Sequence, residues 1–146
     1  MKRVRINEYF YLDEFIPPEI YSVRGAKSIA LMDDRIIEGV TLLRKYAGVP
    51  FIINNWANGG KFHESGLRLP NTRTGAKWSQ HKFGRALDPK PKGMTIRQLF
   101  AILKAHEDEF IEKKLITTVE NIEKTPGWLH IDCRYTGLDK FLIVDP

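Results

Sequence analysis

The chain has 146 residues, 42% of them apolar and 28% charged, and carries a formal net charge of +5. That length suits one domain with a full core, and the composition excludes a disordered or collagen-like chain. No apolar run is long enough to cross a bilayer, and no apolar stretch of a secretory signal follows the basic start Met1 to Ile6, so a single domain over 1–146 without a signal peptide is expected. In chain order, Pro17-Pro18 before Glu19 to Arg24 predicts a short helix with proline in its first turn and Gly25 beyond its end. A stronger helix starts at Asp33 or Asp34; Ile36, Val40, Leu43 and Ala47 share one face, and Gly48 and Pro50 stop it. Phe51-Ile52-Ile53 reads as a short buried strand. Residues 57 to 78 have no sustained periodicity, and an irregular segment that long predicts a wall of the active-site cleft. Lys90 to Gly93 reads as a turn. Thr95 and Gln98 have capping-box spacing ahead of the apolar face Ile96, Leu99, Phe100 and Leu103. His106 to Lys114 reads as a solvated turn or helical extension, with His106 exposed. Ile116 to Glu120 and Trp128 to Arg134 read as a hairpin, and Phe141 to Val144 as a final edge strand. Helices on a small antiparallel sheet, an α+β fold, are expected.

The lone Cys133 can form neither an internal disulfide nor a thiolate metal cluster, and is expected to be a buried packing residue. The positive balance draws a protein toward polyanions. Most basic residues are scattered, but Lys77, Lys82, Arg85, Lys90 and Lys92 cluster around one segment and predict a basic mouth suited to a substrate ending in a carboxylate. No helix-turn-helix, zinc-finger or RNA-binding signature accompanies them, so nucleic acid is not an expected partner.

That segment is Ser79-Gln80-His81-Lys82-Phe83-Gly84-Arg85-Ala86-Leu87-Asp88, and Trp128-Leu129-His130-Ile131-Asp132 completes it. His81, Asp88 and His130 offer two imidazole nitrogens and a carboxylate oxygen. Three such ligands leave the fourth tetrahedral position of a zinc ion open, which is the pattern of a catalytic zinc site. Gly84 permits a backbone geometry that other residues resist, and Ala86 lets neighbouring chain pass close. Strand alternation puts Trp128, His130 and Asp132 on one face and Leu129, Ile131 and Cys133 on the other. Two carboxylates are candidates for the general base: Glu120, at the end of the first hairpin strand, and Asp132, which could instead orient a ligand histidine. Glu123 is a weaker third. Ser79 is placed to cap the turn beside His81, and His63 lies in the cleft-wall loop. Of Trp56, Trp78 and Trp128, at least two are expected to be buried in packing.

The string S-x-H-x-x-G-x-A-x-D followed by W-x-H-x-D resembles the zinc D-alanyl-D-alanine carboxypeptidases and L-alanyl-D-glutamate peptidases, which share the Hedgehog-domain fold. It is most similar to the small single-domain proteins encoded by bacteriophages. Leu12 to Pro18, Asn54-Asn55-Trp56, Gly66-Leu67-Arg68 and His130 to Arg134 also look like that group. The resemblance implies Zn2+ on His81, Asp88 and His130 and a substrate-binding or oxyanion-stabilising role for Arg68. Ser79, Asn55 and Trp56 are expected along the substrate path. It also implies hydrolysis of an amide bond in peptidoglycan stem peptides, in a phage lytic or virion setting with other virion proteins as possible neighbours, and a location in the bacterial host cytoplasm or the virion with action on the cell wall. One position departs: many members keep a catalytic glutamate three residues before the second histidine, where this chain has Gly127. That departure leaves open a non-catalytic virion-structural or cell-wall-binding module of the same fold.

Overall fold

The computed structural model describes residues 1–146. Helix α1 (Pro18–Arg24) opens on proline, as predicted, and a 3-10 segment over Gly25–Leu31 leads away from it. The Asp33 side chain accepts a hydrogen bond from the Arg35 amide and so begins α2 (Asp34–Ala47). Ile36, Val40 and Leu43 of α2 are fully buried, and the helix stops at Gly48. Three short strands follow: β1 (Phe51–Ile52), β2 (Ala86–Leu87) and β3 (Lys90–Pro91). Contrary to the predicted turn over Lys90 to Gly93, Lys90 and Pro91 pair antiparallel with β1, and the turn begins only at Lys92. This ribbon has two strands only, so every strand in it is an edge, where a proline is tolerated.

Thr95 and Gln98 cap each other's backbone amides at the start of α3 (Ile96–Ala105), the reciprocal arrangement their spacing predicts. Helix α3 packs against α2. The charged run after it is less solvated than its composition predicts. It forms α4 (Glu107–Glu112), in which Phe110 is fully buried, while His106 is half-buried and stacks on the Tyr46 ring at 3.7 Å between centroids.

The larger sheet has the order β2, β5, β4, β6, with β4 (Thr118–Glu120), β5 (Ile131–Asp132) and β6 (Leu142–Val144). Both strands of the hairpin are shorter than predicted. The expectation of a purely antiparallel sheet is corrected: β4–β5 and β2–β5 are antiparallel, but β6 runs parallel to β4. After β5 the chain reverses and steps over β4, so it returns in the direction of β4 itself. One cluster of 25 buried apolar residues joins α2, α3 and the sheet, and Cys133 is part of it, as expected. No helix is long and apolar enough to cross a membrane.

Candidate metal centre

Strand register assembles most of the site. Ala86 lies opposite Asp132 and Leu87 opposite Ile131, so the next residues in each direction, Asp88 and His130, become neighbours. On the other side of β5, Val119 lies opposite Ile131, which brings Glu120 to His130; the Glu120 amide donates to the His130 carbonyl at 3.3 Å. Asp88, His130 and Glu120 therefore stand side by side across three strands.

His81 enters from a 3-10 turn over Gln80–Phe83. Ser79 Oγ accepts from the His81 amide at 3.3 Å, so Ser79 caps this turn as predicted. Gly84 ends it at φ +67°, and a Cβ there would lie 2.0 Å from the Leu31 carbonyl oxygen. Both the left-handed conformation and the close approach require glycine.

The three predicted ligands are buried, and their donor atoms converge. His81 Nε2 is 3.1 Å from Asp88 Oδ1 and 3.2 Å from His130 Nδ1, and His130 Nδ1 is 3.0 Å from Asp88 Oδ1. The opposite ring nitrogens fix the tautomers. His81 Nδ1 lies 2.8 Å from the Gly66 carbonyl, which only accepts, so Nδ1 carries the proton and Nε2 presents its lone pair to the centre. His130 Nε2 donates to Asp132 Oδ2 at 2.9 Å, which directs Nδ1 to the same point. Three acceptors within 3.0 to 3.2 Å of one another repel unless a cation lies among them. Burial opposes a charge on His130, but the hydrogen bonds to Asp132 and Asp88 prevail and push its pKa up to about 9. Burial likewise opposes ionisation of Asp88, yet the adjoining His81 and His130 rings hold its carboxyl well below the usual range. His81, Asp88 and His130 thus form a group that can hold a metal ion.

The surrounding residues hold these ligands in place. Asp132 is fully buried, and burial would raise its pKa, but His130 and Arg134 keep it low: Arg134 Nε and Nη2 bind its two oxygens at 2.8 and 2.6 Å. Arg68 donates from Nε to the Glu64 carbonyl at 2.8 Å and from Nη2 to Asp88 Oδ2 at 3.3 Å. Lys90 gives its three protons to the Ile53 carbonyl, Ser65 Oγ and the Asp88 carbonyl, and its burial lowers its pKa to about 8. Glu120 Oε1 stands 3.8 Å from His130 Nδ1 at the edge of the centre.

The triad opens into a cleft of about 320 Å³, walled on one side by Arg68, Thr74, Gly75, Ala76, Trp78 and Ser79, as predicted for the long irregular segment. That segment is fastened by Glu64, whose carboxylate accepts from the Thr72 and Thr74 hydroxyls. A second cavity of about 250 Å³ adjoins the first, sharing Arg68, Thr74, Asp88 and Trp128, and has the exposed His63 at its rim.

Several expected positions lie elsewhere. Asn55 and Trp56 line neither cavity. The Asn55 side chain accepts from the Phe62 amide and holds the loop, while Trp56 Nε1 donates to the Ile16 carbonyl and its ring packs edge-on against Tyr21. The expected burial of two tryptophans fails, because Trp78 is 70% exposed and Trp128 39% exposed, both lining the cleft. The basic mouth also fails: among its five residues only Lys90 lines a cavity, and its donors are all engaged. Glu123 pairs with the exposed Arg97, outside the cleft. A side chain at Gly127 would meet nothing within 4 Å. Sequence reasoning missed Glu64, the supporting roles of Lys90 and Arg134, and the Gly66 carbonyl. Only Arg134 carried a signal, two residues after Asp132 on a strand.

Comparison with family models, with curated proteins and with solved structures returns no match.

Proposed function

We propose that the chain is a zinc-dependent peptidase that hydrolyses an amide bond in peptidoglycan stem peptides. The observation that carries this reading is the convergence of His81 Nε2, His130 Nδ1 and Asp88 Oδ1, each held by a further partner, at the floor of an open cleft. Two imidazoles and one carboxylate are a donor set that catalytic zinc accepts. When bound, zinc supplies Lewis acidity, polarising a scissile carbonyl and acidifying a water near neutral pH. The resemblance of the SxHxxGxAxD and WxHxD strings to the zinc D-alanyl-D-alanine carboxypeptidases and L-alanyl-D-glutamate peptidases gives the substrate class and the phage setting.

In this reading Glu120 is the general base. Its carboxylate accepts the proton of the attacking water and returns it to the amine as the carbon–nitrogen bond breaks. It reaches the centre from the neighbouring strand, so the absence of an acid at position 127 does not remove the function. Asp132 orients His130, and Arg68, which orients Asp88, keeps Nη1 unengaged for the developing oxyanion.

Digestion of purified peptidoglycan, read by mass spectrometry, tests the proposal. Zinc-loaded protein is expected to create new peptide ends. Glu120→Gln should retain the metal and lose about 10²–10⁴-fold in rate. Protein that loads zinc but cuts no stem peptide would be a wall-binding or virion module instead.

A further inference from the structure

We infer that the outer face of the turn carrying His81 docks on an anionic phospholipid surface and holds the cleft beside it. Residues 65–87 include Arg68, Arg73, Lys77, Lys82 and Arg85 and no aspartate or glutamate. Arg68 points inward to Asp88, but Lys77, Lys82 and Arg85 line neither cavity. Lys82 Nζ donates to the Lys77 carbonyl at 3.2 Å, which holds the two lysines together, and no carboxylate pairs with either. Asp33 comes no closer than 4.0 Å to Arg85 Nε, because Arg35 binds it at 2.6 Å. Two exposed rings stand among these cations. Lys77 Nζ lies 5.3 Å from the Trp78 ring, and the Arg85 guanidinium lies 5.6 Å from the ring of Phe83, which is 46% exposed. Leu31, whose carbonyl lies against Gly84, adds a further exposed apolar side chain. Apolar side chains exposed singly are ordinary, but here they share one turn with uncompensated cations. Cations without partners attract phosphate. Phe83 and Leu31 select its source. Neither has a polar atom to offer a soluble polyanion, and Leu31 has no ring on which a base could stack. A bilayer places apolar chains directly beneath its phosphates, so rings and Leu31 enter the boundary while the lysines reach the headgroups. Trp78 also lines the cleft, so docking sets the opening of the triad at the lipid surface.

Vesicle sedimentation tests the inference. The protein should bind vesicles of equal parts phosphatidylglycerol and phosphatidylcholine, with a shift of tryptophan emission to shorter wavelength, and should not bind phosphatidylcholine alone. Lys77→Gln/Lys82→Gln should weaken binding about thirtyfold, the combined effect of two lysines near an anionic surface. Lys2→Gln/Lys140→Gln, an equal change of charge at exposed positions elsewhere, should weaken it by less than about threefold. Phe83→Ser, folded by circular dichroism, should weaken binding several-fold through lost apolar contact. No binding to the mixed vesicles, an equal loss in the two lysine pairs, or full binding by Phe83→Ser would each overturn the inference. Equal affinity for inorganic polyphosphate or single-stranded DNA, lost in the same variants, would assign the surface to a soluble polyanion instead. Binding is expected with or without zinc, so its failure leaves the peptidase reading standing.

Discussion

Both oxygens of Asp132 are engaged, Oδ2 by His130 and Arg134 and Oδ1 by the Arg134 side chain and amide, which leaves no lone pair for a proton in transit. Glu120, by contrast, lines the cleft and keeps a free carboxylate 3.8 Å from His130 Nδ1. The two carboxylates that stood as alternatives in the sequence are separated by their surroundings. Asp132→Asn turns one oxygen into an amide, weakens the hold on the His130 tautomer and disrupts the pair with Arg134. It is expected to weaken zinc affinity about 10–100-fold, as loss of an orienting partner does. Competition with a chelator of known affinity measures this; an unchanged affinity would show that Asp132 does not orient the ligand.

At the scale of elements, the ligands are placed by a strand register and a tight turn. The identity of the three residues that could hold a metal ion was legible, because their types and the glycine between them form a recognisable string. Their arrangement was not. Strands of two or three residues carry too little alternation to reveal register, and it is register that brings Asp88, His130 and Glu120 together. The helices were read closely, since Asp33, Thr95 and Gln98 act locally at their starts. The parallel β4–β6 pair escaped because nothing within Leu142–Val144 says which neighbour it will find. Trp78 and Trp128 escaped for the same reason: large apolar residues favour burial in general, and only the tertiary fold leaves these two at the cleft. The turn before β2 gives the sharpest test at this scale. Gly84→Ala adds both a left-handed strain and a clash with the Leu31 carbonyl, and should destabilise the fold by about 2–4 kcal/mol in urea unfolding. A loss below 0.5 kcal/mol, the scale of an ordinary surface change, would show that the turn relaxes freely.

Across the whole molecule, stability and metal binding can be examined separately, because the strongest carboxylate perturbation remote from the triad is at Glu14. Burial, aided by the Asp13 charge, pushes its pKa up to about 7, although its hydrogen bond from the Tyr11 amide opposes the shift. Between the ordinary value of 4.5 and about 7 the folded chain keeps a proton that the unfolded chain releases, so stability falls as pH rises through that window. Glu14→Gln keeps an acceptor for the Tyr11 amide without the buried charge. It should be more stable than the wild type at pH 8 by on the order of 1–2 kcal/mol, with the gap closing toward pH 4.5. Urea midpoints at the two pH values check this, and a gap independent of pH would contradict it. Calorimetric titration of zinc into metal-free protein should give one site per chain in the wild type and none in His81→Ala/His130→Ala, with both proteins folded by circular dichroism. Equal stoichiometry and affinity in the two would contradict the metal centre.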